Sequence, residues 1–148
     1  QWRLPLNSSP GKRFGIVSSL DFTPIDAQRS AMPTIRDLVS ALRRRDGVDA
    51  ALVVGRDGLL IDGDTSGPLD PDGLAAYVPP MALAAAEMGL AAQRGTFGLM
   101  VLEYTGGSVV VASLSADAYL LVLLQPHANL ASLLFELRRH RAQISALV

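Results

Sequence analysis

The sequence predicts an α/β domain of the α+β kind, an antiparallel sheet covered by helices on both faces, and three observations carry that expectation. The run Ala118-Tyr119-Leu120-Leu121-Val122-Leu123-Leu124 has no charge and is bounded by Asp117 and by Gln125-Pro126. A half-exposed strand alternates polar with apolar, so this run reads as a strand buried on both faces at the middle of the sheet. Connections of hairpin length, Thr105-Gly106-Gly107 and Ser115-Ala116-Asp117, join it to two further apolar runs and imply an antiparallel meander. Segments with helical spacing lie before, between and after the strands, available to cover both faces.

The chain of 148 residues suits one domain of common size. Hydrophobic residues make up 49%, charged residues 18%, and mean hydropathy is +0.29, enough apolar surface for a true core. With 13 basic and 14 acidic residues the net charge is −1, so no global field favours nucleic acid or an anionic membrane. Absence of Cys removes disulfides, thiolate metal sites and a thiol nucleophile. No apolar run approaches the roughly 18 residues of a membrane span, and residues 1–31 show no continuous apolar segment of signal-peptide type. The expectation is a soluble cytoplasmic protein of bacterial composition, rich in Ala, Leu and Arg, with Lys12 its single lysine.

In chain order, residues 1–31 stand apart. Pro5, Asn7, Ser8, Ser9 and Pro10 are loop-like, Phe14–Val17 has the makings of a short strand, and Met32-Pro33 directly precedes a helix start. This segment is a natural extension, an added leader or a fused piece, and residues 32–148 form the domain. Thr34 to Arg45 is the first helix. Thr34 is its N-cap with Asp37 three residues on, Ile35, Leu38, Val39 and Leu42 form one stripe, and Gly47 follows as a left-handed cap. Val48–Gly55 and Leu59–Ile61 make a hairpin about Arg56-Asp57-Gly58. Asp62–Asp72 reads as a polar loop. A long Ala-rich helical segment, Leu74–Gln93, comes next; Pro79-Pro80 predicts a short turn from Asp72, a kink, then a regular helix. Strands Phe97–Tyr104, Ser108–Leu114 and Ala118–Leu124 precede a last helix from Asn129 to Leu147.

Chemistry is sparse. His127 and His140 lie on or beside the last helix and read as helix-end or surface residues. Gly55-Arg56-Asp57-Gly58 lacks the spacing of a phosphate loop, and no Gly-x-Ser-x-Gly occurs. Asp62-Gly63-Asp64-Thr65-Ser66-Gly67 matches the start of a calcium loop, yet the twelfth position is Gly73 in place of Glu, so a solvated connection is expected. Arg43–Arg45 reads as a solvated helix end. No catalytic residue, metal or cofactor is expected. The Ala-rich helix is the informative feature: only Glu87, Gln93 and Arg94 are clearly polar, and a single sheet cannot use a helix that is apolar nearly all round. An oligomer interface is the simplest use of the surplus face.

The order of these elements resembles the Roadblock family of dynein-light-chain-like domains. The residues that carry the likeness are Gly47–Val54, the Arg56-Asp57-Gly58 turn with Leu59-Leu60-Ile61, the Ala-rich helix, and Gly106-Gly107 before Ser108-Val109-Val110-Val111. The resemblance implies a five-stranded antiparallel sheet in the order 2-1-5-4-3, with the second helix on one face and the first and last on the other. It implies a homodimer in which third strands pair across a two-fold axis and second helices pack side by side. It also implies a small Ras-like GTPase as partner, with nucleotide and catalysis on the GTPase. By resemblance the dimer and partner surface falls on Tyr77, Met81, Ala84, Ala85 and Met88 of the helix and on Phe97, Leu99, Val101 and Glu103 of the strand. A structural adaptor without a GTPase and a sensor domain of PAS or profilin-like architecture are the competing functions.

Overall fold

The computed structural model describes residues 33–148. The elements, in chain order, are α1 (Ile35–Arg43), β1 (Val48–Gly55), β2 (Leu60–Thr65), α2 (Pro71–Ala91), β3 (Leu99–Tyr104), β4 (Gly107–Ser113), β5 (Ala118–Leu124), α3 (Leu130–Arg139) and α4 (Arg141–Ser145). All strand pairs are antiparallel and the sheet order is β2-β1-β5-β4-β3, which puts the uncharged run at the centre. The readings that fall on residues 1–31 lie outside the described residues.

Alternation along the strands splits the core in two. Val53, Val110, Leu120 and Val122 face α1, α3 and α4, where Leu38, Val39, Leu42, Leu133, Leu137 and Ile144 close over them. Leu52, Val54, Val111, Tyr119 and Leu121 face α2, which contributes Ala75, Val78 and Ala82. One helix covers one face; α1 and the broken C-terminal helix cover the other. At α1 the capping box forms: the Asp37 N–H donates to Thr34 Oγ1 at 3.2 Å and the Thr34 N–H donates to Asp37 Oδ2 at 2.8 Å.

The structure departs from the sequence expectations at four places. First, Asp62–Thr65 is strand, not loop. Arg36 of α1 donates from Nε to Asp62 Oδ2 at 3.1 Å and from Nη2 to Oδ1, while Arg43 Nε lies 3.6 Å from Asp64 Oδ2. These carboxylates are engaged by arginines of α1, far upstream in the chain, so they hold an edge strand in place and offer no calcium cradle. Second, α2 runs unbroken through Pro79 and Pro80. Each proline deletes one backbone bond at a cost of roughly 3 kcal/mol. Val78 and Ala82, fully buried on either side of the pair, help offset that cost, and the Pro79 ring lies against the β1–β2 turn, 3.6 Å from where a Cβ on Gly58 would be.

Third, β3 begins at Leu99, with Phe97 outside the strand and packed toward α2. Fourth, the last helix breaks at His140. Leu137 and Ile144 face the sheet on both sides of the break, and the turn allows the Ser145 hydroxyl to donate to the Leu114 carbonyl beyond the end of β4.

The expectation about membrane spans is also corrected. With 21 residues and a mean hydropathy of 1.3, α2 is long and apolar enough to cross a membrane by length and composition. Here it lies on the sheet through Ala75, Val78 and Ala82, and it carries Asp72 and Glu87.

Candidate functional site

Two features of the domain are left without a partner: the outer face of α2 and the open edge of β3. Ala75, Val78 and Ala82, spaced three and four residues apart, are the buried stripe of α2, and no residue after Ala82 in that helix is buried. The side chains left in solvent are large. Tyr77 is 68% exposed, Leu83 59%, Met88 68% and Leu90 66%. Soluble domains seldom leave so many large apolar side chains of one helix in solvent without a partner for them.

The residues named from sequence distribute unevenly over this surface. Tyr77, Ala84 and Met88 are exposed and fall on one side of α2, since spacings of seven and four residues return to the same face. Met81 is half-buried against the sheet, and Ala85 is half-buried beside it. Phe97 packs under α2, whereas Leu99 and Val101 pack toward α3 and α4, so the three do not form one surface. Glu103 is exposed at the far end of β3. Leu83 and Leu90, apolar residues of the same helix outside the set that the resemblance implies, are exposed as well. Their spacing of seven carries the signal, once the helix is known to run straight through Pro79-Pro80.

The two edges of the sheet differ in chemistry. The β2 edge carries Asp62 and Asp64, a bulge opposite Val53/Val54, and the ion pair to Arg36. The Arg36 guanidinium, through its hydrogen bond, holds the Asp62 carboxyl below the usual carboxylate range, and the same contact raises Arg36. The β3 edge, Leu-Met-Val-Leu-Glu-Tyr, pairs with β4 on one side and with no described strand on the other. A row of unpaired N–H and C=O groups on an apolar strand is a template for another strand.

Among the described residues no group of His, Asp and Glu is placed to hold a metal ion. Arg56, the basic residue of the β1–β2 turn, is spent on structure. It stacks 4.1 Å from the Tyr119 ring centroid, and it donates to the Tyr119 hydroxyl and to the Ser115 carbonyl, tying the β1–β2 turn to the β4–β5 turn.

Solved structures share the fold. A Roadblock/LC7 domain from Streptomyces avermitilis superposes with a TM-score of 0.67 at 20% identity, over 77% of this chain and 97% of that one. The gliding protein MglB from Thermus thermophilus gives 0.66 at 18% identity, over 74% and 84%. An MglB with a tetrameric arrangement gives 0.66 at 18%, over 74% and 83%. At such identities the likeness is one of fold. Among curated proteins none matches the chain in sequence. The sequence model of the Roadblock/LC7 domain matches residues 34–124, from the cap of α1 to the last residue of the central strand. A match over more than half of the chain, on a sheet of the same order, establishes the kinship: the chain belongs to the Roadblock/LC7 family.

Proposed function

We propose that this protein is a non-catalytic dimeric regulator or scaffold whose α2 face and β3 edge bind a second copy and a small Ras-like GTPase. The single observation that carries the reading is α2 itself. It buries Ala75, Val78 and Ala82 against the sheet and leaves Tyr77, Leu83, Met88 and Leu90 in solvent. A helix so apolar and so little used by its own domain is built for a protein partner. Family membership and the fold shared with MglB support a GTPase as that partner, and the tetrameric arrangement of one MglB supports self-association.

The GTPase carries the nucleotide and the chemistry. This chain contributes a surface whose affinity differs between the GTP-ordered and GDP-relaxed switch loops, and that difference is what regulates. The cleft between β3, β4 and the C-terminal helices has room for about 10 Å³, one water, and is too small for a metabolite.

The test is a calorimetric titration against small Ras-like GTPases of the same genome, each loaded with GTP analogue or with GDP. Preference for the GTP form, at one GTPase per two chains, is the expected result. Equal affinity for both forms favours a passive adaptor. No binding to any of them removes the GTPase from the reading.

A further inference from the structure

We propose that a second copy of this chain is set in register on the β3 edge by a reciprocal ion pair, Arg141 of one subunit with Glu103 of the other. The inference rests on the dimer reading above and specifies the partner's alignment.

The geometry begins with backbone alternation. The Ser113 N–H donates to the Gly98 carbonyl at 2.8 Å, and the β3–β4 register pairs Met100 with Val111, Leu102 with Val109 and Tyr104 with Gly107. In an antiparallel ladder the hydrogen-bonded pairs recur at every second residue. The even-numbered residues of β3 therefore turn their N–H and C=O groups toward β4, and Leu99, Val101 and Glu103 turn theirs to the open edge. The side chains of these three share the face covered by α3 and α4, where Leu99 and Val101 already pack.

Two copies of β3 meeting antiparallel across a two-fold axis pair all three outward-turned residues only when the axis passes through Val101; an axis through Leu102 leaves Leu99 without a partner in the other β3. Val101 then opposes its own copy, and Leu99 opposes the other copy's Glu103. Arg141, the first residue of α4, stands at the Leu99 end. It lines the same cleft as Leu99, and its Nη2 lies 3.7 Å from where a Cβ on Gly98 would be. Within one chain Leu99 and Glu103 sit at opposite ends of the strand, roughly 14 Å apart at strand rise, so Arg141 and Glu103 do not meet. The two-fold brings opposite charges together on one face, and it does so twice.

Neither group is in an ion pair with another described residue. The rest of the edge is Leu, Met, Val and Tyr, a composition that tolerates slippage by two residues. Slippage that opposes Val101 to Glu103 carries the carboxylate from Leu99 to Val101, away from Arg141, and slippage that opposes Val101 to Leu99 leaves the outward-turned Glu103 beyond the partner's β3. The ion pair and the backbone ladder together select one register, and the pair discriminates a true copy from a related chain lacking either charge.

The experiment is sedimentation equilibrium of the full chain with Glu103→Arg, Arg141→Glu, the double variant, and an equimolar mixture of the two single variants. Both positions are exposed, so all variants should melt like the parent. Each single variant places two like-charge contacts in the interface, and its dimer should weaken roughly tenfold. The double variant should recover, and the mixture should form heterodimer in preference to either homodimer, because only there does every contact pair opposite charges. Single variants that associate like the parent overturn the inference and leave the dimer standing, as does a double variant no better than the singles. A parent chain that remains monomeric overturns the dimer reading and the inference with it.

Discussion

Met88→Asp probes the outer face of α2 most directly. In the isolated domain Met88 is 68% exposed and belongs to neither core, so the substitution costs the fold little, well under about 1 kcal/mol. Complete burial of a Met is worth roughly 1.5–3 kcal/mol, and covering the exposed two-thirds yields about 1–2 kcal/mol. A two-fold contact counts the loss twice, so dimerisation should weaken by about 2–4 kcal/mol, between about thirtyfold and about a thousandfold in Kd. An aspartate forced into the contact adds its own desolvation, which makes the figure a floor. The assay is sedimentation velocity across a wide concentration range, with circular dichroism as the control for folding. Ala82→Asp supplies the contrast: it places the same carboxylate on the buried stripe and should unfold the domain. A folded Met88→Asp variant with the parental dimer constant refutes the assignment of this face to self-association.

Two further outcomes test the scaffold. Gly107 has φ +138°, and a Cβ there would overlap the Leu124 carbonyl oxygen, so Gly107→Ala should cost more than the roughly 1–3 kcal/mol of backbone strain alone and lower the urea midpoint accordingly; an unchanged midpoint contradicts the close β4–β5 approach. Arg36→Ala should remove at most about 1 kcal/mol, since the pair is partly exposed. Because Arg36 lowers the pKa of Asp62, this contribution is present above the unfolded carboxylate pKa and is lost as pH falls through the folded one. The parent–variant difference in stability should therefore shrink in acid, and a difference constant with pH rules the linkage out.

Features fixed by neighbours in sequence were legible without coordinates. The Thr34–Asp37 box, the stripe Leu38, Val39 and Leu42, the Asp57-Gly58 turn and the uncharged central strand all appear where periodicity and turn chemistry put them. Features fixed by distant contacts were not. Nothing local marks Asp62–Thr65 as strand; an arginine 26 residues upstream completes it. The continuity of α2 is a tertiary effect as well, since the packing of Val78 and Ala82 prevails over two prolines that by themselves end a helix. For the same reason the apolar character of α2 was readable, but which residues point outward was not. Tyr77 and Met88 fall on the exposed face, Met81 turns toward the sheet, and Leu83 and Leu90 take places that the expected kink obscured. The strand edge was readable as a position in the resemblance, while Phe97 proved to belong under the helix.

The unequal edges of the sheet have a consequence for how far assembly can proceed. A strand that adds along β3 finds open backbone groups and an apolar row, whereas β2 offers carboxylates clamped by Arg36 and Arg43 and a bulge that turns the ladder aside. Growth is one-sided. When two such sheets join through β3, the outer boundary on either flank is a β2, and the addition that built the pair cannot repeat. A chain with two β3-like borders would polymerise into a ribbon; a chain with one such border would stop at a pair. The charge on β2 is thus a stop signal, and neutralising it at Asp62 and Asp64 would open the second flank to runaway strand addition.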